Sequence, residues 1–143
     1  MTLKKLCNNI MVLALDQKCI HYAMAGTSLY TLNPETIEEY PVLFIAPTGE
    51  HIVTDNYTTY QLSLFYLDRL TEDSINDIDI YSAAIEQLKN IVRGIETIDG
   101  VIKVADDYRI TNFADTESFN DRLAGAYCTI DITVKNNDTC FDE

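Results

Sequence analysis

Between Tyr57 and Ile95 the chain changes its apolar period once, and that change constrains most of what it can fold into. Tyr60, Leu62, Leu64 and Tyr66 alternate with Thr59, Gln61 and Ser63. A period of two puts one set on a buried face and the other on a wetter one, so Tyr57 to Leu67 is a predicted strand. The polar run Asp68 to Asp77 then breaks the pattern. After it, Tyr81, Ala84, Ile85, Leu88, Ile91, Val92 and Ile95 recur at helical spacing, which predicts a helix over about Ile78 to Glu96.

The same logic runs outward from this unit. Thr2 is a plausible N-cap for a helix over residues 3 to 16, with Leu3, Leu6, Cys7, Ile10, Leu13 and Ala14 as its apolar stripe. Ser28 to Leu32 reads as a short strand ended by Asn33-Pro34. Tyr40 to Ala46 reads as a second strand with Pro41 at its start, because proline cannot donate to a ladder. Pro47 to Glu50 reads as a turn, and His51 to Asn56 as irregular chain or a hairpin tip. Beyond Asp99-Gly100, Val101 to Ala105 is either a short strand or the end of the helix pair. Tyr108 to Phe113 alternates weakly, and Ala114 to Arg122 reads as a polar loop. Ala126, Cys128, Ile130, Ile132 and Val134 then alternate with Tyr127, Thr129, Asp131, Thr133 and Lys135, as in an antiparallel strand covered on one side. Residues 136 to 143 read as a frayed tail. The predicted order is α-β-β-β-α-β-β. It implies an α+β two-layer domain over residues 1 to 135, a mainly antiparallel sheet packed on two helices.

At 143 residues the chain is long enough for one domain with its own core, without a disulfide or metal staple. Cys7, Cys19, Cys128 and Cys140 have no zinc-knuckle or redox spacing, and no secretion signal is legible, so reduced thiols are expected. The apolar run near the start is too short to span a bilayer. The net charge of −13 argues against sequence-independent nucleic-acid binding, which needs Lys and Arg against phosphates.

Little in the chain suggests catalysis. His21 and His51 are the two near-neutral bases, and no Gly-x-Ser-x-Gly elbow is present. Cys19 and His21 stand two apart, as neighbours on a strand face rather than an activated dyad. Asp73, Asp77 and Asp79 lack the glycine and glutamate of a calcium loop and suit a helix start instead. No phosphate-cradling glycine loop exists, and no cofactor is expected.

Three stretches carry a family resemblance. A first helix is followed by Ser28 to Leu32 with its Asn33-Pro34 stop. Next comes Tyr40-Pro-Val-Leu-Phe-Ile-Ala-Pro47, and then the block Asp55 to Asp73 leading into the long helix. In this order the chain resembles the ring-forming neck and tail-completion (tail terminator) proteins of tailed bacteriophages. The Asp55 to Asp73 block is similar to proteins of gut Bacteroidales phages, including the crAss-like group. The resemblance implies a structural virion protein without catalytic residues or cofactors, assembled in the host cytoplasm. Copies would form a homo-oligomeric ring around the DNA channel between portal and tail. Edge strands and loops would join neighbours, other neck or tail proteins would dock above and below, and DNA would pass without specific binding.

Arginine and aromatic residues near strand ends and loops are the natural interface candidates: Tyr57, Arg69, Arg109, Phe113, Phe119 and Arg122. The loops Gly49 to Asn56 and Asp106 to Arg122 are expected to meet other subunits. Two other classes remain open at this point. One is a small acidic monomeric inhibitor or DNA mimic. The other is a small hydrolase or transferase dependent on His21 or His51.

Overall fold

A computed structural model describes residues 1–27, 39–70, 76–115 and 123–136. The fold is α+β, with one mainly antiparallel sheet and two helices. Helix α1 spans Leu3–Leu15 and α2 spans Asp77–Ile95. The strands are β1 (Tyr22–Ala25), β2 (Val42–Val53), β3 (Tyr57–Arg69), β4 (Val101–Val104), β5 (Ile110–Asp115) and β6 (Leu123–Lys135). Across the sheet the order is β1-β2-β3-β6-β4, and β5 also pairs with β6. β1 runs parallel to β2, and every other pairing is antiparallel. The expected order is carried through, and the segment after α2 resolves into three strands. Val101–Val104 is therefore strand, not the end of a helix.

β3 and β6 form the spine, in register over all thirteen residues of each from Tyr57 opposite Lys135 to Arg69 opposite Leu123. Their alternation sorts the two faces of the sheet. Leu62, Leu64, Tyr66, Ala126, Cys128, Ile130, Ile132 and Val134 are buried in the main core together with Leu43 and Ile45 of β2. The helices close this core with Leu6, Cys7, Ile10 and Ala14 from α1 and Ala84, Leu88, Ile91, Val92 and Ile95 from α2. Burying each leucine, isoleucine or valine among them stabilises the fold by roughly 1.5–3 kcal/mol before entropy is charged. Thr2 caps α1, its Oγ1 accepting from the Lys5 N–H at 3.1 Å. Asp77 and Asp79 lie in the first turn of α2, where the helix dipole favours carboxylates.

Two readings of the sequence need correction, and two others fall wholly or mainly outside the described residues. Pro47 to Glu50 is not a turn between strands; it lies inside β2. Four steps along β2 from Pro47 to His51 face two along β3 from Leu62 to Tyr60. This irregularity holds Gly49 at φ +95°, where a side chain would be strained, and Pro47, which has no N–H to donate. The hairpin turn comes later, at Thr54 to Asn56. The first strand forms at Tyr22–Ala25, and the predicted strand at 28–32 falls outside the described residues. The supposed loop from Asp106 onward contains β5, while 116–122 lie outside the described residues. At the C-terminal side Asn136 is hydrogen-bonded into the domain, and 137–143 are likewise outside.

Candidate interaction surface

The two helices share one face of the sheet, so the opposite face sets what the domain can meet. One half of that face is polar. The hydroxyls of Thr59 and Thr133 lie 2.9 Å apart across β3 and β6, and those of Ser63 and Thr129 also 2.9 Å. Thr48 Oγ1 donates to Gln61 Oε1 at 2.9 Å. Two shallow depressions adjoin here, sharing Thr59 and Asp131. One, of about 460 Å³, is also lined by Glu50, His51, Ile52 and Gln61. The other, of about 420 Å³, is also lined by Lys103, Asp106, Asp107 and Thr133.

The other half of the face is aromatic. Phe65 stacks on Tyr127 with centroids 5.4 Å apart and meets Phe44 and Phe113 edge-on, each at 6.3 Å. Phe113 lies 6.1 Å from Tyr127. Val42, Phe44, Leu67 and Leu123 are buried in this second cluster. At its margin the Arg69 guanidinium sits 4.8 Å over the Tyr40 ring, a cation–π contact.

At the end of the sheet that carries the β2–β3 turn the helix side is covered: Thr58 and Val134 are buried, and the Met1 amino group donates to the Lys135 carbonyl at 2.8 Å. At the end carrying the β2–β3 turn, Ile52 is 67%, Val53 71%, Tyr57 47% and Ile102 52% exposed. The turn itself is clamped. Thr54 N–H donates to the Tyr57 carbonyl at 2.8 Å, and Tyr57 N–H donates to Thr54 Oγ1 at 3.1 Å. Asn136 reaches across from β6, its N–H donating to the Asn56 carbonyl at 2.9 Å and its Nδ2 to the Thr54 carbonyl at 2.8 Å. Thr58 Oγ1 donates in turn to Asn136 Oδ1.

Titratable groups gather into no reaction centre among the described residues. His21 Nδ1 lies 3.6 Å from Glu39 Oε2, with both side chains largely exposed. His51 Nδ1 accepts from the Gln61 N–H at 3.4 Å, and its ring meets Tyr60 edge-on at 5.2 Å. Burial pushes the Cys128 thiol up to about 12 and raises that of Cys7, so both stay protonated within the core. Tyr66 is raised by burial first, and then by Asp68 and Cys19 nearby. Asp68 is raised by burial, partly offset by the Arg69 N–H, the Arg69 guanidinium and His21. No group of three or more His, Cys, Asp or Glu is placed to hold a metal ion among the described residues. No helix among them is long and apolar enough to cross a membrane.

The predicted interface residues do not converge. Tyr57 and Arg69 begin and end the same strand, so about 40 Å separates them. Arg109 is exposed just before β5, on the edge of the sheet. Phe113 belongs to β5 and is half-buried among Phe65 and Tyr127, not in a loop. Phe119 and Arg122 lie outside the described residues. Arg69 and Phe113 share one end of the sheet, since their strand partners are Leu123 and Gly125. Ile52 and Val53 fall within the Gly49 to Asn56 stretch expected to meet other subunits, although most of it is strand β2 rather than loop; Ile102, also exposed, carries no such signal in the sequence. Comparison of the chain with protein-family models and with curated proteins finds no match.

Proposed function

We propose that the chain is a structural subunit of an oligomeric ring in the neck or tail of a tailed bacteriophage, placed around the DNA channel between portal and tail. The observation that carries this reading is the open sheet. It ends in β1 on one side and in β4 and β5 on the other, among the described residues. Pairing the β1 side of one copy with the β4–β5 side of the next is a heterologous contact, and such contacts generate rings when the rotation closes. The net charge of −13 supports the role as well, because a carboxylate-rich channel wall lets DNA move without adhering. The strand-break-helix block that resembles tail-completion proteins forms the spine strand β3 and helix α2 of this sheet.

The test is mass by light scattering across concentration, then negative-stain imaging alone and with portal or tail proteins. Closed rings are expected, alone or on the partner. Hydrogen exchange should then slow at Tyr22–Ala25 and Ile110–Asp115. A chain that stays monomeric with every such partner, or rings in which neither edge gains protection, would refute the reading.

One observation favours a second reading, a small acidic monomeric inhibitor of a basic protein. The exposed apolar end carrying Ile52 adjoins Glu50, Asp131, Asp106 and Asp107. A monomer at high concentration that captures a basic protein in a salt-sensitive way would select it.

A further inference from the structure

Among the described residues the two outer strands β1 and β5 lie at the same level of the sheet. Tyr22 to Ala25 of β1 pair with Val42 to Ile45 of β2, which face Leu67 to Leu64 of β3. Those residues face Gly125 to Cys128 of β6, which in turn face Phe113 to Ile110 of β5. Tyr22 and Phe113 therefore share one row. Ala23 and Asn112 share the next, then Met24 and Thr111, then Ala25 and Ile110. The strand senses fit as well. β1 runs with β2 and β6, and against β3 and β5. Setting β1 of one copy beside β5 of a second, with both sheets facing the same way, gives an antiparallel pair.

The backbone phase of the two edges also agrees. Gly26 N–H donates to the Ile45 carbonyl at 3.0 Å, so by alternation Met24 turns toward β2 while Ala23 and Ala25 turn their backbone groups outward. On β6, Lys135 N–H donates to the Gly100 carbonyl at 3.1 Å, and the Asp131 carbonyl accepts from the Ala105 N–H at 3.0 Å. Tyr127 and Gly125, in the same phase, thus face β5, and their partners Thr111 and Phe113 face back. That leaves Ile110 and Asn112 outward. In the shared rows the outward residues coincide, Ala23 with Asn112 and Ala25 with Ile110. Side chains match by face too. Tyr22, Met24 and Phe113 pack with the aromatic cluster, and Ala23, Ala25 and Ile110 with the helix-side core. None of these edge residues is charged, in a chain with 10 Lys and Arg and 23 Asp and Glu, and none is proline. Edges left in water are commonly blunted by such residues, so this composition suits edges that are paired. We infer that β5 of one copy pairs antiparallel with β1 of the next in this same-row register, and that Tyr22 extends the Phe65–Phe113–Tyr127 group across the joint. The added copy needs no shift along the strands, the condition for closure when strands run along the ring axis. The pairing rests on the ring reading for its closure, but not for its register.

Cysteine cross-linking of the full chain tests the register. Cys19 and Cys140 are first replaced by serine, which leaves the buried Cys7 and Cys128. Met24→Cys with Thr111→Cys then puts one thiol on each edge in the same row, at a non-hydrogen-bonded pair where side chains stand closest. Under mild oxidation, alone or with portal or tail proteins, a ladder of cross-linked multimers is expected. Met24→Cys with Arg109→Cys, two residues along the same edge, should cross-link about tenfold less, because that offset exceeds disulfide reach. Each single variant should give no ladder. Asn112→Pro removes an outward N–H without touching the β6 pairing, and should abolish the ladder while circular dichroism stays that of the parent. Equal cross-linking by the Arg109 pair would overturn the register. So would dimers from Met24→Cys alone, which report β1 against β1, or a folded Asn112→Pro chain that still forms the ladder. Closed rings whose Met24–Thr111 pair stays reduced would overturn the register and uphold the ring. Cross-linked open chains without rings would uphold the register and refute the ring. A chain that neither assembles nor cross-links refutes both.

Discussion

Gly125 is the position at which the sheet tolerates least. It lies in β6, opposite Leu67 of β3 and Phe113 of β5, within the spine of the sheet. A Cβ built there would overlap the carbonyl oxygen of Tyr66, and would stand 2.8 Å from the Tyr66 carbonyl carbon and 3.2 Å from the Leu67 Cα. All three are backbone atoms, flanked by the fully buried side chains of Tyr66 and Leu67. No rotamer change relieves the overlap, so β3 and β6 must part locally. Overpacking of this kind costs about 1–3 kcal/mol, and one or two weakened ladder bonds add about 1 kcal/mol each. Gly125→Ala is therefore expected to destabilise by about 2–5 kcal/mol, a large share of the ~5–15 kcal/mol that a domain has. At about 4 °C per kcal/mol that lowers Tm by roughly 8–20 °C. The assay is urea and thermal unfolding followed by circular dichroism. Gly94→Ala is the matched control. The nearest atoms its Cβ would meet belong to the flexible Leu13 side chain, at 2.7–3.1 Å, and alanine gains about 1 kcal/mol in a helix. A Gly125→Ala variant within about 0.5 kcal/mol of the parent would refute the backbone-contact argument.

Four further outcomes are expected. Phe113→Ala should cost about 1–2 kcal/mol, less than a full core phenylalanine because the ring is half-buried, and should dull the near-ultraviolet signal of the Phe65–Tyr127 stack. Gln87 Oε1 is buried with no hydrogen-bond partner among the described residues, so Gln87→Met should be neutral or stabilising by up to about 1 kcal/mol in urea titrations. Cys19, which is exposed, should react with a thiol reagent in the native state, whereas Cys7 and Cys128 should react only on unfolding; peptide mapping distinguishes them. Burial raises Asp68 above its ordinary 3.8, so the folded state holds that proton more tightly than the unfolded one. Its contribution therefore falls as pH rises from about 4 through the raised value and stays unfavourable above it. Asp68→Asn keeps an acceptor for the Arg69 N–H. It should be more stable than the parent at pH 7, with the difference vanishing below about pH 4; an equal difference at both pH values would contradict the assignment.

What the sequence revealed follows from where each signal is strong. β3, α2 and β6 are long and change period cleanly, so their faces could be assigned before any coordinates, and with them the α+β class. β1 could not be found this way. Tyr22-Ala-Met-Ala has no polar alternation, because each of its residues is half-buried. β2 reads as a shorter strand in sequence because Pro47 and Gly49 carry turn chemistry, and only the pairing with β3 reveals that they sit in an irregularity within a strand. The surface was harder still. Tyr57 and Arg69 are both plausible hot-spot residues, but composition does not register that one strand holds them at opposite ends. Conversely, the apolar residues at Ile52 and Ile102 look like core in any window. Ile52 is exposed because it stands opposite Thr59, on the face of the sheet away from the helices, whereas Thr58 and Val134 at the same end are buried on the helix side, where Met1 joins the core. Alternation alone does not say which set faces the helices; only the pairing of β2 with β3 assigns Ile52 to the open face.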